Sequence, residues 1–179
     1  NMVNDLLKTL SGEETIQLNR QPCRFGELVQ KAVADAQGTA VAKSIDLTYQ
    51  LQGTSYPIWA DARRLYHLVL NLVDNAIKYS SKNTHVEVVL TYRGDAIYLF
   101  VRDQGKGILE EDLPHIFDKF YRSHQVQSES GSGIGLAGVR SIVEAHGGQV
   151  TARNRPEGGA EFEVMLPESL RLLDETKGS

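Results

Sequence analysis

Between Asp61 and Val101 the hydrophobic period of the chain changes once, from helical to alternating, and this change restricts the fold more than any other feature. Leu65, Leu68, Val69, Leu72, Val73 and Ala76 recur at i, i+3, i+4 and i+7, the spacing of a helix with one buried face. Asp61 is a good N-cap for that helix, which the pattern carries to about Tyr79. Residues 86–92 and 96–101 then read as two strands joined by Arg93-Gly94-Asp95, a hairpin signal. A helix with one apolar face next to paired strands buries that face against the sheet they form, in a layered arrangement.

The remaining segments follow the same alternation. Phe25, Leu28, Val29, Ala32, Val33 and Ala36 predict a helix over 25–36; residues 45–51 alternate as a half-buried strand, and 56–60 form a short second one. Residues 134–145 read as a helix closed by His146-Gly147-Gly148, and 149–153 and 160–166 as a final hairpin across Pro156-Glu157-Gly158-Gly159. Helices interleaved with paired strands imply an α+β two-layer sandwich, a mixed and mostly antiparallel sheet backed by helices, rather than a doubly wound parallel sheet. The stretch 103–132 is rich in Gly, Ser, Gln and Glu, and a long irregular segment inside a compact domain is usually functional or mobile. Val3, Leu6, Leu7 and Leu10 form an apolar stripe too short to be stable alone, expected to be the end of a longer helix. Three regions result: 1–22 as helix end and linker, 23–167 as the folded domain, and 168–179 as a frayed polar tail.

With 19 basic and 23 acidic residues among 179, the net charge of −4 offers no global attraction for nucleic acid or an anionic membrane. Cys23 is the one cysteine, which excludes an internal disulfide framework and a cysteine zinc site. No apolar run reaches the roughly 20 residues of a membrane span, so the domain is expected to be cytoplasmic and free of membrane contact.

Polar residues narrow the function. At about 100° per residue, Asn71, Asn75 and Lys78 fall within roughly 60° of one another on the central helix, beside its apolar face. Asn75 can offer a carbonyl oxygen to Mg²⁺, and Lys78 can meet phosphate oxygens. By itself the stripe also reads as a solvated helix face. At the end of the strand over 96–101, Asp103-Gln104-Gly105-Lys106-Gly107-Ile108 places a carboxylate before two glycines. There a flat ring could approach the backbone and donate an amino hydrogen to Asp103, although a turn with an Asx cap has the same pattern. Gly131-Ser132-Gly133-Ile134-Gly135-Leu136 opens the next helix, where unpaired N–H groups suit phosphate.

Taken together and in this order, these segments resemble the boxes of sensor histidine kinases. Asn71 to Tyr79 resembles the N box, Asp103 to Ile108 the first glycine box, Ile116 to Arg122 the F box, and Gly131 to Leu136 the second glycine box. The resemblance covers about Phe25 to Leu166 and implies the Bergerat ATP-binding fold shared with gyrase, MutL and Hsp90, with a flexible ATP lid. It implies ATP and Mg²⁺ as cofactors, Asn75 as metal ligand, and Asn71 and Lys78 facing the phosphates. Tyr79 would pack near the adenine, Asp103 would read its amino group, and Gly105, Gly107 and Ile108 would shape the pocket. The lid would run from about Leu109 to Ser132, with Phe117 and Phe120 anchoring its root. Tyr121 would join the nucleotide site and Arg122 would reach phosphate. Gly131, Ser132, Gly133, Ile134, Gly135 and Leu136 would close on the phosphate tail. Gly138 departs from the family's usual aliphatic residue, and Glu110-Glu111-Asp112 reads as charge at a helix start.

The residues also speak to the reaction. Water-using relatives carry a glutamate base four residues before the metal-binding asparagine; here that position is Asn71, whose neutral amide takes no proton at useful pH. An imidazole attacks through its lone pair and needs no prior base, so transfer to histidine is favoured over hydrolysis. No histidine here is followed by the acidic residue of the family's phosphoacceptor, and His67 reads as a packing or supporting residue while His85, His115, His124 and His146 read as loop or cap residues. The acceptor is thus expected on a separate dimerisation domain, the full-length protein as a homodimer with a response regulator receiver domain as partner, and this piece as a monomer. The alternative is a nucleotide-sensing domain that binds ATP without transfer. Gly133 to Gly138 matches G-x-G-x-x-G formally but lacks the preceding strand of a dinucleotide fold, and Lys106 is followed by Gly107, which excludes a P-loop.

Overall fold

The computed structural model describes residues 16–119 and 134–173. In chain order these form β1 (Gln21–Cys23), α1 (Phe25–Ala42), β2 (Asp46–Gln52), β3 (Ile58–Ala60), α2 (Ala62–Tyr79), β4 (His85–Tyr92), β5 (Ala96–Arg102), a 3₁₀ turn (Leu113–His115), α3 (Ile134–Ala145), β6 (Gln149–Asn154), β7 (Ala160–Pro167) and a second 3₁₀ turn (Glu168–Leu170). Five strands make one sheet in the order β2-β4-β5-β7-β6; β2 runs parallel to β4 and the other pairs are antiparallel. The mixed sheet backed by helices is the predicted sandwich.

The period-2 pattern decides which sheet face meets the helices. Val88 pairs with Val101, Leu90 with Leu99, and Val164 with both Leu99 and Val150, and all of these enter one core with Leu65, Leu68, Leu72, Val139 and Val143. The opposite face carries a row of alternating charge, Glu87, Arg102, Glu161 and Arg153, at paired positions across four strands. Arg102 Nη1 donates to Glu87 at 2.8 Å and its Nε to Glu161 at 2.5 Å, while Arg153 Nε donates to Glu161 at 2.8 Å. Burial raises the Glu161 pKa, but the bonds from Arg153 and Arg102 outweigh it and hold the carboxyl below its ordinary value.

Asp61 starts α2 as expected, its Oδ1 accepting the Arg64 N–H at 3.1 Å. Its Oδ2 accepts the Asn19 N–H at 3.0 Å, and its own N–H donates to His146 Nε2 at 3.1 Å. His146, read as a loop or cap residue, does follow the last residue of α3 with its N–H bonded back to Ile142 O, and it is also a buried tie to the start of α2, with Nδ1–H donating to Ile142 O at 2.8 Å. At the other end of α2, Lys43 Nζ donates to the Ile77 and Lys78 carbonyls at 2.9 and 2.6 Å, placing a cation at the negative end of the helix.

Several boundaries differ from the sequence reading. The first helix continues to Ala42, because Ala40 extends the buried Ala32, Ala36 stripe past Gly38. The folded domain begins before residue 23, since Gln21–Cys23 pairs with β3 and Asn19 bonds Asp61. The stretch expected to fray from Glu168 is packed on the domain as far as Leu172. Leu170 is buried, Arg171 bridges to Ile58 with its guanidinium 4.5 Å from the Tyr56 ring, and Leu172 N–H donates to Pro57 O. Asp112, read with Glu110 and Glu111 as charge at a helix start, stands at the N-cap of the 3₁₀ turn and is fully buried. The Val3 to Leu10 stripe lies outside the described residues.

Candidate nucleotide site

On α2 the predicted polar stripe borders a cleft. Asn71, Asp74, Asn75 and Lys78 line it from one side, Gly135 and Leu136 at the start of α3 from the other, and it encloses about 180 Å³. The helix-start glycines and the asparagine stripe are thus neighbours, although some 60 residues separate them in sequence. Among the described residues, the side-chain amides of Asn71 and Asn75 make no hydrogen bond, which leaves both available to a ligand in the cleft they line. Lys78 is exposed, its ammonium 5.4 Å from the Tyr79 ring centroid.

Asp74 is a cleft residue that the sequence reading does not include. It lies three residues after Asn71 and four before Lys78, which puts it about 60° and 40° from them around the helix, outside the roughly 60° stripe and beside its Lys78 edge. Burial raises the pKa of its carboxyl. Among the described residues no group of three or more His, Cys, Asp and Glu could hold a metal. Asn71, Asp74 and Asn75 offer oxygen atoms in the cleft, the ligand type of Mg²⁺, which takes one or two protein ligands and completes its shell with water and substrate phosphates. His67, one turn before Asn71, is exposed with its ring edge-on to Tyr66 rather than packed in the core.

The second half of the site is the loop after β5. Asp103 is 4% exposed, and its Oδ1 accepts the N–H of Gly105 at 2.9 Å and of Ala160 at 3.0 Å. The Asp103 N–H donates to Ala160 O at 3.0 Å, extending the β5–β7 ladder by one residue. Arg155 Nη1 donates to Asp103 O at 2.8 Å. Asn154 bonds Ile108 twice: Ile108 N–H donates to Oδ1 at 2.7 Å, and Nδ2 donates to Ile108 O at 2.6 Å.

The glycines of this loop have a role beyond admitting a ring. A Cβ on Gly105 would stand 2.3 Å from the Tyr79 carbonyl oxygen, and one on Gly107, whose φ is +77°, would stand 2.7 Å from Asn154 Oδ1. The loop is therefore pressed between the end of α2 and the β6–β7 turn. Tyr79 reaches it through its backbone; its ring is exposed. Nearby, Phe117 packs edge-on against Phe162 at 6.0 Å, and Asp118 pairs with Arg140 of α3 at 3.3 Å. The positions assigned to Phe120, Tyr121, Arg122, Gly131, Ser132 and Gly133, and the Ile134 side chain, lie outside what the structure describes.

Residues 60–170 match the family described as histidine kinase-, DNA gyrase B-, and HSP90-like ATPase. The chain belongs to that family. Within it, this ATPase-family domain is similar to sensor kinases. It is 39% identical over 147 residues to the sensor protein SphS of Synechococcus elongatus, covering 76% of the chain and 36% of SphS. It is 32% identical over 164 residues to the sensor histidine kinase RppB of a Synechocystis species, covering 90% of the chain and 36% of RppB. The domain thus spans about a third of the length of these relatives. Among solved structures, the mycobacterial sensor histidine kinase MprB superposes with a TM-score of 0.72 at 27% identity, over 83% of this chain and 97% of that one. Full-length ShkA in complex with AMPPNP superposes with a TM-score of 0.76 at 27% identity, over 93% of this chain and 35% of that one. Both the cleft and the Asp103 loop lie within the matched residues. The sequence reading missed Asn154 and Arg155, because they act on the loop from another hairpin about 50 residues away and carry no local pattern.

Proposed function

We propose that the chain is the catalytic domain of a sensor histidine kinase, which binds MgATP and transfers the γ-phosphate to a histidine on a separate dimerisation domain, for relay to a response regulator. The observation that carries this reading is Asn71 in the cleft, one turn before Asn75 and about 40° from it around α2. That is the position from which a carboxylate would activate water, and an amide there cannot accept the proton. Asp74 also lines the cleft, but it is displaced about 100° from Asn75, away from the base position.

Asn75 would hold Mg²⁺ through its amide oxygen, and the metal when bound supplies neutralisation of phosphate charge. Lys78 and the backbone around Gly135 would face the phosphates, and Asp103 would accept the adenine amino hydrogen on Oδ2, since Oδ1 serves two backbone N–H groups. Tyr79, Gly105, Gly107, Ile108 and Leu136 would bound the nucleotide, and Tyr121, Arg122 and Gly131 to Ile134 would close over it. Catalysis is then mostly positioning: the imidazole lone pair forms the new P–N bond, the β–γ P–O bond breaks, and ADP leaves with the electron pair. The parent protein would act as a homodimer on the cytoplasmic side. Among the described residues no helix is long and apolar enough to cross a membrane.

The test is MgATP binding by this chain, followed by transfer of labelled phosphate to a separately supplied histidine-bearing dimerisation domain. Label on the acceptor with little free phosphate is the expected result. Binding without transfer to a competent acceptor points to a nucleotide sensor, and rapid phosphate release without an acceptor points to hydrolysis.

A further inference from the structure

The loop from Asp103 to Ile108 has a structural problem that the sequence does not reveal. Strand β5 ends at Arg102, and Asp103 makes the last ladder bonds with Ala160. Beyond it, Gln104 Oε1 accepts the His85 N–H at 2.9 Å, but Gly105 and Gly107 bring no side chains with which the far half of the loop could anchor itself. Ile108 lies past the end of every strand, so its N–H and C=O need partners from elsewhere. The Asn154 carboxamide meets both, at 2.7 and 2.6 Å, and so replaces a peptide unit of a neighbouring strand. It can approach because Gly107 has no Cβ in the space its oxygen occupies.

Asn154 ends β6, and Arg155 follows it in the turn that leads to β7. The Arg155 guanidinium holds the Asp103 carbonyl at 2.8 Å. Gly159, at φ +87°, lies so close to that carbonyl that a Cβ on it would stand 2.1 Å from the oxygen. The loop is thus tied to the turn at Ile108 and at Asp103. The two N–H groups on Asp103 Oδ1 come one from each side of this joint, Gly105 from the loop and Ala160 from the start of β7, where the turn ends. The direction in which Oδ2 points is therefore set by how the loop sits on the turn.

We propose that Asn154, assisted by Arg155, is a positioning residue for recognition of the nucleotide base: it locks the Asp103–Ile108 loop onto the β6–β7 turn and thereby aims the Asp103 carboxylate. The inference rests on the reading of Asp103 as the group that meets the base. Asn154 is exposed, so it contributes little to the core, and what it fixes is the loop.

The test uses the whole 179-residue chain and two nucleotides, MgATP and MgGTP, with Asn154→Ala and Asn154→Asp. Asn154→Ala should weaken ATP about tenfold or more while leaving GTP unchanged, so the preference for adenine narrows. Its unfolding midpoint should stay within about 3 °C of the parent. The Ile108 amide should exchange faster while Val101 and Phe162, in the paired strands, stay protected. Asn154→Asp keeps the acceptor for Ile108 N–H but sets a carboxylate oxygen against Ile108 O, so its ATP affinity should fall as well. Thr151→Ala, on an exposed site of the same strand, should change neither nucleotide.

Parent-like ATP binding by Asn154→Ala overturns the proposal, as does an equal loss of ATP and GTP with Ile108 still protected. Should the alanine variant not fold, Asn154→Asp with Ile108 exchange decides by the same criteria. Asp103→Asn separates the two levels. If it leaves ATP affinity intact, the base-reading role of Asp103 fails and the inference with it. If it weakens ATP while Asn154→Ala does not, the role of Asp103 stands and the proposal for Asn154 fails.

Discussion

The two halves of the proposed nucleotide site, the Asp103 loop and the cleft between α2 and α3, are built on opposite plans. On the proposed base side, Asp103, Gly105, Ile108, Asn154, Arg155 and Ala160 are joined by hydrogen bonds, with glycines allowing backbone to press on backbone. On the phosphate side, Asn71, Asn75 and Lys78 project from a rigid helix toward Gly135 and Leu136, and among the described residues the two amides bond to nothing. The base side carries its geometry in the protein alone, whereas the phosphate side presents donors and acceptors whose natural complement is a charged ligand. A preassembled wall suits discrimination of one base from another, because a wrong base leaves buried polar groups unmet. An open row of polar groups suits a metal and phosphates, which bring their own charge and order water.

This contrast can be broken at either end. The largest effect is expected from Asn75→Ala, which removes the amide oxygen offered to Mg²⁺. Mg-dependent ATP affinity should fall by about 100-fold while ATP binding in EDTA changes little. Unchanged affinity in calorimetry with Mg²⁺ would refute the ligand role. Asp103→Asn should come next, weakening adenine nucleotides by about 1–3 kcal/mol. Oδ1 can still accept the Gly105 and Ala160 N–H groups, so the far-ultraviolet circular dichroism should be retained. A collapse of fold instead would show that the carboxylate is structural.

Away from the nucleotide, His146→Ala should destabilise the domain by about 1–3 kcal/mol, because Asp61 N–H loses its buried acceptor. Once the fold is saturated with nucleotide, affinity should stay near the parent value, which titration calorimetry below the unfolding midpoint can check. A pH dependence comes with this residue. Burial lowers its pKa, aided by Arg20 and Arg64 and opposed by the Ile142 bond and Asp61, and the neutral ring is the form that can accept from Asp61. The unfolded chain therefore binds the proton more readily than the fold. The contribution is complete above the ordinary value of 6.5 and is lost as pH falls through the window below it. Urea midpoints for the parent should decline across that window, and those of His146→Ala should decline less.

The smallest effect separates two glycines of one helix. A Cβ added at Gly135 or at Gly138 would meet no neighbouring atom within 4 Å, so alanine fits at both. Gly138→Ala should raise stability by up to about 1 kcal/mol with ATP affinity unchanged, whereas Gly135→Ala should weaken ATP, since Gly135 lines the cleft. Equal ATP affinity in the two variants would dismiss Gly135 as a phosphate contact.

Legibility from sequence differs by region in the same way. The helix over Ala62–Tyr79 and its polar stripe are visible because everything that defines them is local: an N-cap, a 3.6-residue period, and side chains on one face. Asp74 falls outside that roughly 60° stripe, and only the cleft shows that it belongs with the other three. The α3 helix and both hairpins are also legible, since each begins or ends on turn residues. Strand β1, three residues ending at Cys23, is not: it is too short for a pattern and exists only by pairing with β3. The Glu168–Leu173 stretch looks polar and loose, yet Leu170 and Arg171 find a site on β3 and Tyr56 that no local signal announces. His146 reads as a cap because its neighbours are glycines; its partner, Asp61, lies 85 residues earlier.

By itself the sequence determined the elements, the sheet face that is buried, and the residue types able to meet a base, a metal and phosphates, because period, capping and donor chemistry are properties of neighbours along the chain. Only the tertiary structure decided how those groups are aimed. The Asp103 carboxylate takes its direction from Ala160, its loop from Asn154, and the start of α2 from His146, each across at least 46 residues of chain. A hydrogen bond needs its partners placed to within a few tenths of an ångström, and over such separations only the packed fold sets that distance.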